Sequence, residues 1–98
     1  MKTILTVLLL SLSANAAAHS LFMGVNDNGD NTVTIEGVFS TGGPASHAEV
    51  RLESYEGRVL WRSELSEDGM ATFEKPEMPY LIVIESDKGH SIEEEGPE

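Results

Sequence analysis

From residue 19 onward, turn-forming clusters cut the chain into short segments, and no apolar residues recur between them at helical spacing. A chain built this way has only sheets to fold into. The clearest segment is Ala48-Glu49-Val50-Arg51-Leu52-Glu53. Its period of two puts Ala48, Val50 and Leu52 on a buried face and the charged residues on the other. Thr32 to Ile35 alternates in the same way, and the phase change at Gly37, before Val38-Phe39, predicts a β-bulge. His19 to Val25 carries Leu21, Met23 and Val25 on one parity. Val59 to Leu65 reads as a strand with Trp61 as the largest core residue, and Met70 to Glu74 as a short strand with Ala71 and Phe73 inward. Tyr80 to Ile84 is apolar on both parities, which marks a central strand. Ser91-Ile92 begins a last one. Asn26 to Asn31, Gly42-Gly43-Pro44, Glu56-Gly57, Ser66 to Gly69, Lys75 to Pro79 and Asp87-Lys88-Gly89 supply the turns. Six to seven short strands in one unit predict a small all-β antiparallel sandwich of the transthyretin-like or Ig-like kind.

Residues 1–18 stand apart. Lys2 gives a positive start, Ile4 to Leu12 a short apolar run, and Ser13 to Ala18 a stretch of small residues. This order predicts a cleaved signal peptide and a periplasmic or secreted product. The run is too short for a permanent membrane anchor. The sandwich is expected over 19–92 and an acidic flexible tail over 93–98. The chain contains no cysteine, so disulfides and thiolate metal sites are excluded. All 17 Asp and Glu lie beyond the leader, and the formal net charge is −11. Such a surface repels nucleic acid and anionic lipid. There is no nucleophile elbow, P-loop or dinucleotide fingerprint, and nothing singles out a glycosidase pair of carboxylates. The chain is therefore read as non-catalytic.

Three histidines remain as candidate ligands: His19, His47 and His90. Imidazole suits late first-row transition ions. Cleavage after Ala18 would make His19 the first residue, chelating through its α-amine and ring. One further imidazole, from His90 or His47, would complete a three-nitrogen site. Cleavage after Ala16 would leave Ala17-Ala18-His19, whose amine, two amides and imidazole form a square plane around Cu(II) or Ni(II). An α-amine titrates near about 8, so a metal must displace its proton. His90 sits in a turn, and His47 shares the outward parity of Glu49 and Arg51. Asp27, Asn28, Asp30 and Asn31 lack EF-hand spacing and read as a polar hairpin turn.

The order of elements from Val33 to His90 resembles the carboxypeptidase-regulatory-like (transthyretin-like) sandwich. The matching features are Gly43-Pro44 before Ala48-Glu49-Val50-Arg51-Leu52, then Asp68-Gly69-Met70-Ala71-Thr72-Phe73. Pro79-Tyr80-Leu81-Ile82-Val83-Ile84 follows and ends at Gly89-His90. Ala18-His19 and Gly89-His90 also resemble small exported proteins of nickel and cobalt uptake. That resemblance implies a metal-binding accessory protein for nickel or cobalt, delivering its ion to a membrane transporter component. Affinity order alone favours copper. The alternative is a non-catalytic exported carboxypeptidase-regulatory-like module that binds another protein and no metal.

Overall fold

The computed structural model describes residues 20–86 and 89–98. His19 and the leader lie outside the described residues. The chain forms seven strands: β1 Leu21–Asp27, β2 Thr32–Phe39, β3 Glu49–Ser54, β4 Val59–Glu64, β5 Met70–Glu74, β6 Tyr80–Glu85 and β7 Ser91–Glu95. All pairings are antiparallel. One sheet has the order β1-β2-β5 and the other β4-β3-β6-β7, and no strand is shared between them. This is the all-β sandwich that the alternation predicts. No helix among the described residues is long and apolar enough to cross a membrane.

The core follows from strand parity. Val33 and Ile35 of β2 face Val50 and Leu52 of β3 and Ile82 and Ile84 of β6, and none of these six is more than 1% exposed. Each such side chain contributes roughly 1.5–3 kcal/mol through removal from water. The two ends of the sandwich are filled differently. At one end Phe73 packs against Trp61 and Tyr80, with ring centroids 5.6 and 5.9 Å away. At the other, the sheets are joined by small residues, Gly37, Ala45 and Ala48, together with Leu65.

Three expectations need correction. Gly37 makes no bulge, because β2 keeps one register with β1 from Leu21↔Phe39 to Asp27↔Val33. Gly37 occupies an inward position, where a Cβ would lie 3.0 Å from Leu65 and 3.1 Å from Ala45. The irregularity lies instead between Leu52 and Glu53, on the side facing β4. Trp61 is only half-buried, since β4 is an edge strand.

The acidic end is not a free tail. Glu93 to Glu95 pair with Leu81 to Val83 as the outer half of β7. Beyond it, the Gly96 N–H donates to the Tyr80 carbonyl at 2.9 Å, and the Tyr80 hydroxyl donates to the Pro97 carbonyl at 2.9 Å. Pairing needs only backbone groups, and an edge strand tolerates charge on both faces because one side meets solvent.

The β1–β2 turn is held by its own polar side chains. Asp27 accepts from the Gly29 N–H, and Asp30 accepts from the Thr32 N–H and hydroxyl. The Lys75 ammonium, 2.7 Å from Asp27, also reaches the Glu98 carbonyl at 3.1 Å. Lys75 and the Gly29 N–H hold the Asp27 carboxyl below the usual carboxylate range, and Thr32 does the same for Asp30. A lowered folded-state pKa stabilises above the unfolded value, about 4, and that contribution is lost as pH falls through the folded one. Urea midpoints should therefore drop between pH 5 and pH 2, less steeply for Asp27→Asn. Parallel pH profiles would refute the contribution of the Asp27–Lys75 pair.

Candidate functional site

Three turns of the chain have the same build. In Ser54–Arg58, Ser66–Met70 and Ser86–His90, the serine N–H donates to the carbonyl of the fifth residue, at 2.8 Å each time. The glycine N–H at the fourth position donates back to the serine carbonyl, at 2.9, 2.9 and 3.1 Å. Gly57, Gly69 and Gly89 all take positive φ, 92°, 79° and 82°, a conformation that favours glycine. In the first two turns the serine Oγ accepts from the N–H of the closing residue, at 3.1 Å from Arg58 and 3.2 Å from Met70.

The third turn differs at that hydroxyl. Ser86 is only 7% exposed, yet its Oγ has no hydrogen-bond partner among the described residues. The Nδ1 of His90, which closes the turn, is also buried and without one. An orphaned buried polar atom costs about 1–3 kcal/mol, and native folds keep few of them. Ser54 is 2% exposed and satisfied, so burial alone does not explain the two orphans.

Ser86 and His90 line a cleft of about 580 Å³ at the end of the sandwich closed by small residues. Phe39 of β2 and Ala45 and Ala48 of the β2–β3 loop give it apolar walls, and the Phe39 ring meets that of His90 edge-on at 6.1 Å. His47 also lines it, exposed, from a left-handed backbone conformation of φ 61°. Its N–H, donating to the Leu65 carbonyl at 3.1 Å, holds it there. The Ser46 hydroxyl donates to the Glu67 carbonyl and fastens the same loop.

The rim is acidic because of the strand register. Glu64 of β4 and Glu85 of β6 both lie opposite Glu49 of β3, so three carboxylates stand abreast on the outer face. Arg51 binds this group, with contacts of 2.8 Å to Glu49, 2.8 Å to Glu85 and 2.5 Å to Glu53. Those three carboxylates hold the guanidinium proton more tightly than usual. Arg62 lies 3.6 Å from Glu49. Four carboxylates thus face two guanidinium groups, and the field at the rim favours a cation.

The structure brings His47 and His90 to one cleft, which their separation in sequence did not reveal. They do not form a cluster of three metal-capable side chains with any carboxylate; no such cluster occurs among the described residues. His19 lies outside the described residues. Its neighbour Ser20 donates its N–H to the Ser40 hydroxyl at 3.1 Å and accepts from the Ser40 N–H at 2.8 Å. Ser40 stands between Phe39 and Thr41, both of which line the cleft. Ser86 was not singled out from sequence, although the recurrence of Ser-x-x-Gly at 54, 66 and 86 could have pointed to it. Comparison with protein-family models, with curated proteins and with solved structures returns no match.

Proposed function

We propose that this is an exported, non-catalytic metal-binding domain for nickel or cobalt, with copper as the competing ion, which passes its ion to a membrane transporter component. The observation that carries this reading is His90, a half-buried imidazole that lines a cleft with an acidic rim and whose Nδ1 has no hydrogen-bond partner among the described residues. An imidazole not tied up by hydrogen bonds suits a late first-row ion. His19, which the resemblance offers as a second ligand, directly precedes Ser20, and Ser20 is hydrogen-bonded to Ser40 beside the cleft wall. His47, exposed on the same cleft, is a third candidate.

The test uses the processed protein, with its exact mass giving the cleavage site. Titration with Ni(II), Co(II) and Cu(II) should show affinity about 100-fold weaker in His90→Ala, as expected for losing a ligand. His19→Ala should show a comparable loss. Equal affinity in wild type and both variants would end the metal reading. One observation favours the second reading, a module that binds another exported protein without metal: the absence of a three-ligand cluster among the described residues. Metal-free protein after purification, with no binding on titration, would select that reading.

A further inference from the structure

We propose that the free edge of β1 receives an extended segment of another protein chain as an added strand, with a lysine or arginine of that segment reaching Glu94 of β7. This does not rest on the metal reading; it deepens the second reading by giving the domain a surface for another exported protein.

A comparison of the four edge strands carries the argument: β1 and β5 bound one sheet, β4 and β7 the other. A free edge offers its backbone groups to another strand, and charges, bulges, prolines or short length blunt it. β4 carries Arg62 and Glu64 and faces the register shift at Leu52. β5 has five residues, ends on Glu74 and runs into Lys75-Pro76. β7 carries Glu93, Glu94 and Glu95. β1 has seven residues and no charge before Asp27 at its end. Its open row of backbone groups is set by β2. The Gly37 and Phe39 N–H groups donate away from β1, to the Gly69 and Gly43 carbonyls at 2.8 and 2.9 Å. Their partners Met23 and Leu21 therefore turn their own groups to the open side, and Val25 continues the row.

The flank beside this row defines the charge of the occupant. β1 and β7 touch across it. Val25 has inward parity yet is 38% exposed, because nothing among the described residues closes the flank at its level. Glu94 also has inward parity, since it lies opposite the fully buried Ile82, and it too is exposed. None of the ion pairs among the described residues includes it. A strand added to β1 would continue the first sheet over Glu94. Stacked sheets lie about 10 Å apart, a gap that an extended lysine and an extended glutamate close together. A second copy of this chain would instead bring its own Glu94 to the same flank, and at a net charge of −11 like charges oppose that pairing. A basic strand gains attraction where a second copy meets repulsion. Phe22, exposed on the outer face of β1, gives the outward residues of the added strand an apolar neighbour.

The test is a titration of processed, 15N-labelled protein with a blocked hexapeptide of alternating valine and lysine, at fixed ionic strength. Saturable shifts are expected at the Met23 and Val25 amides, which should exchange fast in the free protein and slowly in the complex. The same peptide with glutamate for lysine should not bind. Only one row of the peptide's N–H groups can face β1, so N-methylation at one parity should abolish binding and at the other should not, with charge and composition unchanged. Val25→Pro removes a free-edge N–H and should abolish binding. Glu94→Gln keeps the edge intact and should weaken binding about threefold, the loss of one exposed ion pair, while Glu74→Gln on the opposite edge should leave it unchanged. Equal binding of the two N-methylated peptides, or of the lysine and glutamate peptides, would overturn the proposal. So would slow exchange of Met23 and Val25 in the free monomer, which would mean that the chain covers its own edge. A dimer in sedimentation that Val25→Pro dissolves would assign the edge to a second copy and also overturn it. Val25→Pro should leave the metal titrations as in wild type, so peptide binding without metal binding removes the metal reading alone, and metal binding without peptide binding removes this proposal alone.

Discussion

Gly69→Ala is expected to lower the unfolding free energy by about 4 kcal/mol, whereas Gly57→Ala should lower it by only about 1 kcal/mol. Both glycines hold the fourth position of the same turn and both have positive φ, so the conformational penalty of a Cβ is shared. The surroundings differ. At Gly57 nothing lies within 4 Å of an added Cβ. At Gly69 it would meet the Gly37 carbonyl oxygen at 2.7 Å, the Ala45 nitrogen at 3.1 Å and the Pro44 Cβ at 3.1 Å. Those are mostly backbone atoms and cannot rotate away. The Gly69 carbonyl also accepts from the Gly37 N–H at 2.8 Å, and Gly37 in turn accepts from the Ala45 N–H at 2.9 Å. A shift at Gly69 therefore disturbs the point where the β2–β3 loop crosses between sheets. Urea denaturation of both variants checks the difference; equal losses would mean that backbone φ, not the close approach, sets the effect.

Arg51→Met should cost about 2 kcal/mol, and a good part of that should return in high salt. Methionine preserves a stem of similar reach, so the change isolates the charge. Without it, Glu49, Glu53 and Glu85 face one another with no cation between them. Arg51 is one-fifth exposed and the glutamates more, so the loss is smaller than for a fully buried pair. The stem has its own role. Val83 points to the outer face, directly opposite Arg51, yet is only 3% exposed. Long charged side chains cover apolar surface in this way, and Arg51→Ala should therefore destabilise more than Arg51→Met. Denaturation at low and high sodium chloride measures both effects. A salt-independent loss, equal in the two variants, would assign the whole effect to packing.

The fold was legible where one face of a strand is apolar and the other is not. Ala48 to Glu53 and Met70 to Glu74 show this, and both fall as strands with the expected residues inward. Legibility failed where a side chain misreports its side. Val38 suggested a bulge because Gly37, with no side chain, hid the inward position. Glu93 to Glu95 looked like a solvated tail because an edge strand places few demands on composition. The site was less readable still. That Glu49, Glu64 and Glu85 stand abreast depends on registers between three strands, and that His47 and His90 share a cleft depends on how two loops cross one end. Neither is a property of local spacing. That the Ser86 hydroxyl lacks a partner among the described residues is likewise invisible in a sequence that repeats the same turn three times.

The repeated turn also bears on how such a domain changes over generations. Ser54, Ser66 and Ser86 each close a chain reversal with the same backbone bonds, and in the first two turns the residues between serine and glycine take no part in those bonds. Variation at those positions, and in whether the hydroxyl bonds back to its own loop, leaves the reversal intact. A recognition feature can therefore arise at one copy while the other two go on shaping the sandwich, and selection on binding and selection on folding act on different atoms of the same motif.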